Sequence, residues 1–215
     1  MRSNYLKFAM AACVIAGAAA TQAAFIINVT TSTYAFTPSG SGNVPFNITG
    51  PNNEFINFNP GAIPVTVGDN TGHTTATVNI IYDVDGTNAY PVSAMNLVIT
   101  GTVIDKGRIF WTELVEDLNG NIRGSTSGQR LGSAYSGGSD GAFNFGTQFA
   151  INPALTRFIV KKTFFLDIGN ATLPTNSLAA LGTIQQGLVP EPGTFIALGA
   201  GLSMVGLGLR RRARK

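Results

Sequence analysis

The chain has 215 residues, 44 % of them hydrophobic and only 12 % charged, with 26 glycines, 10 prolines and one cysteine. Roughly 25 % charge is usual for a soluble domain, and this composition excludes a coiled coil, an acidic disordered tail and a disulfide-stapled mini-protein. The net charge of +3 comes from the two ends, because residues 24 to 188 hold seven basic against ten acidic residues, a net −3, so no basic surface for nucleic acid is expected.

Met1 to Lys7 is short and basic, Phe8 to Ala20 is apolar, and Thr21-Gln22-Ala23 follows. This is the layout of a secretory signal peptide. Ala18-x-Ala20 and Thr21-x-Ala23 both fit the small-residue cleavage rule, and the second is preferred, giving a signal over 1–23. The apolar run falls short of the roughly 20 residues of a membrane span. Cys13 lies inside it, so a cleaved chain has no thiol.

Residues 24–184 read as one all-β domain, an antiparallel β-sandwich of jelly-roll type. Period-2 alternation recurs, as in Thr75-Ala76-Thr77-Val78-Asn79-Ile80 and Arg157-Phe158-Ile159-Val160-Lys161-Lys162-Thr163-Phe164, and Gly or Pro punctuates at short intervals. Strands are expected to start near Phe25, Val44, Glu54, Val65, Thr75, Val92, Arg108, Phe143 and Arg157. Asn121 to Gly141 reads as an exposed Gly/Ser-rich loop. Leu178 to Ile184 reads as a last strand or a short helix, and 185–188 as a linker.

Candidate chemistry in this body is sparse. Asp83, Asp85 and Asn88 place three oxygen-bearing side chains around Asp85-Gly86, as a Ca²⁺ loop would. The EF-hand spacing fails, and a hairpin turn is the simpler reading. Asp117-Leu118-Asn119-Gly120-Asn121 is a second such loop. Glu113, Glu116 and Asp117 sit beside Phe110-Trp111, a grouping that suits glycosidase chemistry or sugar stacking. On a strand Glu113 and Asp117 share a face and Glu116 points away. No second carboxylate is placed opposite them, and a solvated strand end is the expectation. His73 lacks the partners of a triad or a zinc site. No resident cofactor and no catalytic residue are expected.

The end of the chain is more specific. Val189-Pro190-Glu191-Pro192 precedes an uncharged run, Gly193 to Leu209, and the basic cluster Arg210-Arg211-Arg212-Ala213-Arg214-Lys215. Seventeen helical residues span about 25 Å, at the short end of what crosses a bilayer. The prolines stop the helix from extending backwards, and the arginines belong on the cytoplasmic side. This tail over 189–215 resembles the PEP-CTERM protein-sorting signal of Gram-negative bacteria that make exopolysaccharide. The resemblance implies recognition of Pro190, Glu191 and Pro192 by an exosortase, a membrane span over 193–209, and retention by Arg210, Arg211 and Arg212 until processing. It implies transient residence in the inner membrane, then the cell envelope, surface or matrix.

The resulting expectation is an exported surface or matrix protein with a structural or binding body, not an enzyme, with exosortase and the membrane as partners during export and exopolysaccharide as a further partner. A secreted polysaccharide-acting hydrolase with the same tail, or a permanently anchored adhesin, is the alternative.

Overall fold

Alternation of buried and exposed positions builds this molecule strand by strand. Between Thr75 and Asp85, the side chains of Ala76, Val78, Ile80, Tyr82 and Val84 are buried and those between them are not, as a pleated strand with one face on the core requires. The computed structural model describes residues 24–59, 65–69, 71–87, 91–173 and 175–191. They form β1 (Ile26–Thr37), β2 (Ser41–Asn43), β3 (Phe46–Thr49), β4 (Phe55–Phe58), β5 (Val65–Gly68), β6 (Thr75–Asp85), β7 (Val92–Ile104), β8 (Arg108–Glu116), β9 (Ile122–Leu131), β10 (Gly141–Leu155), β11 (Arg157–Asp167) and β12 (Leu178–Pro190). Among the described residues there is no helix long and apolar enough to cross a membrane. The candidate signal peptide, the span 193–209 and Arg210–Arg212 lie outside them.

Every strand pairing is antiparallel. The first sheet runs β2-β1-β6-β11-β8-β9 and the second β10-β7-β12-β4-β3, with β5 paired to the other end of β12. Their inner faces meet in one core. Phe58 of β4 lies 5.9 Å from Tyr82 of β6, and Trp111 of β8 lies 4.9 Å from Phe145 of β10, between ring centroids. Each fully buried aliphatic or aromatic side chain in such a core contributes about 1.5–3 kcal/mol.

Nine expected strands are present, and three readings are corrected. Residues 121–141, expected as a loop, contain β9, which pairs with β8 along its length. Its glycines are a packing requirement: a Cβ at Gly128 would lie 2.4 Å from Trp111 Cζ2. Residues 185–188, expected as a linker, lie in β12, hydrogen-bonded to β7 on one side and β4 on the other. Ile184, Gln186 and Leu188 point into the core there, so the body continues to the edge of the tail. Asp85-Gly86 is not a hairpin, because β6 pairs with β1 and β11. Gly86 N–H donates to Thr156 O at 2.6 Å, and the chain then crosses to β7 in the second sheet.

Candidate functional site

The inner face of the first sheet carries two charges where its pattern calls for apolar residues. Along β11 the inward positions are Phe158, Val160, Lys162, Phe164 and Leu166; along β8 they are Ile109, Trp111, Glu113 and Val115. Lys162 and Glu113 are direct cross-strand partners. Their side chains are 0 % and 1 % exposed, with Lys162 Nζ 2.6 Å from Glu113 Oε2. Burying two charges costs several kcal/mol per ion before their attraction offsets it.

Polar groups from three further strands close around this pair. From the second sheet, Gln186 of β12 accepts a hydrogen bond from Lys162 Nζ through Oε1. Gln186 Nε2 donates to Asn96 O of β7 at 2.9 Å. Lys162 Nζ also stands 5.9 Å from the centroid of the Tyr82 ring on β6. Among the described residues, neither Glu113 oxygen receives a well-directed hydrogen bond, and the buried Tyr82 hydroxyl has none. Burial pushes the Glu113 carboxyl up against the pull of Lys162. It pushes the Lys162 amine down against the pull of Glu113. The site thus favours the neutral forms of both groups over what water would allow.

Glu113 is therefore not part of a solvated strand end. It points inward, while Glu116 points outward and pairs with Lys161 at 2.7 Å. Trp111 faces the core, with Phe110 on the opposite face beneath the Arg108 guanidinium. Asp117 lies past the end of β8, in the turn to β9. Its Oδ1 accepts from Asn119 N and Asn121 N, and its Oδ2 from Arg123 Nε and Nη2. The Asn121 amide, followed by its backbone N–H and the Arg123 guanidinium, holds the Asp117 carboxyl well below the usual range.

Asp83 and Asp85 share the outer face of β6. Asp85 Oδ1 accepts from Thr87 N at 2.9 Å, and its Oδ2 meets Arg157 Nε at 3.2 Å. Asn88 lies outside the described residues. No group of three or more His, Cys, Asp or Glu able to hold a metal occurs among the described residues. His73 stacks on Phe36, with ring centroids 4.3 Å apart and planes 7° from parallel.

The two outer faces differ in charge. No strand of the second sheet contains Asp, Glu, Lys or Arg. Its outer face presents Asn57, Asn96, Asn144, Gln148 and Gln185, with Phe55 47 % exposed beside Gly187. At one end of this sheet β12 closes on Pro190, paired with Val92, and Glu191 N donates to Pro91 O at 2.9 Å. The first two residues of the expected Pro190-Glu191-Pro192 motif are thus docked on the body, and Pro192 lies outside the described residues.

Residues 188–212 match the PEP-CTERM protein-sorting motif. No curated protein matches the sequence. Among solved structures, the enzymatically active domain of bacteriophage CBA120 tailspike protein 4 is similar at 11 % identity and TM-score 0.34, over 77 % of this chain and 19 % of that one. This chain therefore spans under a fifth of the tailspike's length. TmCBM61 in complex with β-1,4-galactotriose is similar at 13 % identity and TM-score 0.34, over 68 % of this chain and 89 % of that one. The CBM36-1 domain of a xylanase from the hindgut metagenome of Trinervitermes trinervoides is similar at 10 % identity and TM-score 0.27, over 74 % and 97 %. At such scores no ligand or activity carries over to this chain. The tail is specific where the body is not: the chain carries the PEP-CTERM protein-sorting motif over residues 188–212, and that motif begins inside its last strand.

Proposed function

We propose that this protein is exported, sorted through its tail by an exosortase, and deployed at the cell envelope or surface as a binding or structural body rather than an enzyme. The observation that carries the reading is the sorting motif over 188–212, which begins inside β12. A strand paired with β7 and β4 leads to Pro190 and Glu191, which supports a body held close to the start of the sorting tail. The uncharged outer face of the second sheet supports the binding role. Side-chain amides supply both donors and acceptors, and an exposed aromatic gives a flat apolar contact. That pairing suits a neutral hydroxyl-rich polymer such as exopolysaccharide.

The test is cell fractionation of the full chain beside its Pro190→Ala/Glu191→Ala double variant. The native chain is expected at the envelope or outside the cell with its tail removed, and the variant in the inner membrane with its tail intact. Normal processing of the variant, or a cytosolic native chain, overturns the sorting role. Co-sedimentation with neutral polysaccharide tests the body, with Phe55→Ala and Gln185→Lys expected to weaken it. Polysaccharide cleavage by the purified chain would overturn the non-enzymatic reading.

A further inference from the structure

The buried cluster of Lys162, Glu113 and Gln186 brings an amine, a carboxylate and a carboxamide together in the core. The Lys162 amine has three N–H donors, and beside Glu113 it meets a carboxamide from the opposite sheet. Its nitrogen is turned away and anchored on Asn96 O. The amine therefore meets the carbonyl end of the amide. The surroundings are apolar: Ile56, Ile80, Tyr82 and Leu97 are all fully buried. Water, which would compete with the amine or hydrolyse an intermediate, is kept out.

We propose that Lys162 and Gln186 condense into an intramolecular isopeptide bond, with Glu113 as the proton-transfer group. Lys162 Nζ passes a proton to Glu113 Oε2, 2.6 Å away, and attacks Gln186 Cδ as the neutral amine. A bond forms between Nζ and Cδ, and the carbonyl electrons move to Oε1, where protonated Glu113 stabilises the developing charge. The electrons return, the bond from Cδ to Nε2 breaks, and the leaving nitrogen takes the second Nζ proton through Glu113. Ammonia departs, leaving a secondary amide and the remaining proton on Glu113. Nothing is oxidised or reduced, and no further reactant is consumed. The preference for neutral Lys162 and Glu113 works in the same direction, since only the uncharged amine is a nucleophile. Fixed placement of both reactants in a rigid core supplies the proximity such a condensation needs.

The bond would tie β11 of the first sheet to β12 of the second across 24 residues of sequence. It would act on the unfolded chain as a disulfide does, in a chain whose one cysteine cannot form an intramolecular disulfide. It would also fasten the strand from which the sorting tail emerges. The proposal stands on the core geometry and is independent of the sorting reading.

The test is mass spectrometry of the full chain after denaturation and trypsin digestion. No Lys or Arg separates Lys162 from Gln186, so the expected product is one internally looped peptide that holds both residues, lighter than its linear sequence by about 17 Da, the mass of ammonia. No cleavage follows Lys162, because trypsin does not cut after an acylated lysine. Cleavage after Lys162, with a linear peptide that begins at Thr163 and carries Gln186 at unmodified mass, overturns the proposal. Glu113→Gln keeps the shape and removes the base, and is expected to abolish the link. Should that chain fail to accumulate, the native digest still decides the bond, and Glu113→Asp reads the role of the carboxylate through partial linkage. Full linkage in either variant removes Glu113 from the step.

Discussion

Two Lys–Glu pairs bridge the same two strands, β8 and β11, one on each face of the first sheet. Lys162–Glu113 points inward and Lys161–Glu116 outward, at 2.6 Å and 2.7 Å. Distance does not distinguish them; surroundings do. The outer pair keeps water, with Lys161 45 % exposed. The inner pair has only each other, Gln186 and the Tyr82 ring. The same chemistry is thus a minor contact on one face and a reactive or strongly coupled centre on the other.

The largest break in this comparison comes from Glu113→Leu, which leaves the Lys162 amine without its partner in the core. A loss of about 3–5 kcal/mol is expected by denaturant unfolding. Lys162→Met/Glu113→Leu removes both charges and should recover most of that loss, because a well-packed apolar replacement of a buried pair is often neutral or better. With the isopeptide bond in the native chain, recovery stays incomplete by the contribution of the lost tie. Full recovery or overshoot would mean that only an ion pair was removed.

A second break comes from the edge that seals this part of the core. Gly128→Ala would place a methyl within 2.4 Å of Trp111 Cζ2, two residues before Glu113 on the same face. Overpacking of this kind costs about 1–3 kcal/mol, and a fall in the unfolding midpoint with Trp111 fluorescence perturbed is the expected reading. An unchanged midpoint would show that β9 yields without resistance.

The parity of both buried charges is legible in the sequence, although Glu113 reads there as part of a solvated strand end. Lys162 falls in step with Phe158, Val160 and Phe164, and Glu113 with Ile109, Trp111 and Val115. What no local pattern contained was the pairing of β8 with β11, and the arrival of Gln186 from the second sheet. β9 does not read as a strand because Gly124 and Gly128 weaken strand propensity, and they are there for want of space beside the Ala150 carbonyl and Trp111. The second half of β12 escaped because Gln185-Gln186-Gly187 reads as polar when its partners on β7 and β4 are unknown. Asp85-Gly86 carries a strong hairpin signal that long-range pairing of β6 overrides. The tail was legible because its chemistry is contiguous: a short motif, an apolar run and arginines need no tertiary partner to be recognised.

A smaller effect separates carboxylates by their donors. Asp117 is held ionised by Asn121, Arg123 and Asn119, so its folded-state proton affinity lies below the unfolded value of about 3.9. Its contribution is fully present above that unfolded value and disappears as pH falls through the lower, folded one. The unfolding midpoint should therefore decline with acid below about pH 4, and Asp117→Asn should flatten that decline while lowering stability at neutral pH. An unaltered acid limb in the variant would assign the decline to other carboxylates, among them Asp140, which accepts from Ser133 N and Asp105 N.

The smallest expected effect is the one that sharpens the comparison most. Truncating Lys161 or Glu116 to Ala should cost about 0.2–1 kcal/mol, since an exposed pair exchanges hydration for a modest attraction. That cost should shrink in salt, because charges in water are screened over about 10 Å at 0.1 M and about 3 Å at 1 M ionic strength. A double-mutant cycle on Lys161 and Glu116, repeated at both salt levels, reads the coupling directly. The parallel cycle on Lys162 and Glu113 should be larger and indifferent to salt, because no ions reach a fully buried pair. Equal salt sensitivity on the two faces would mean that water enters the core, and a wet core would lose the very feature that sets Lys162 apart from Lys161.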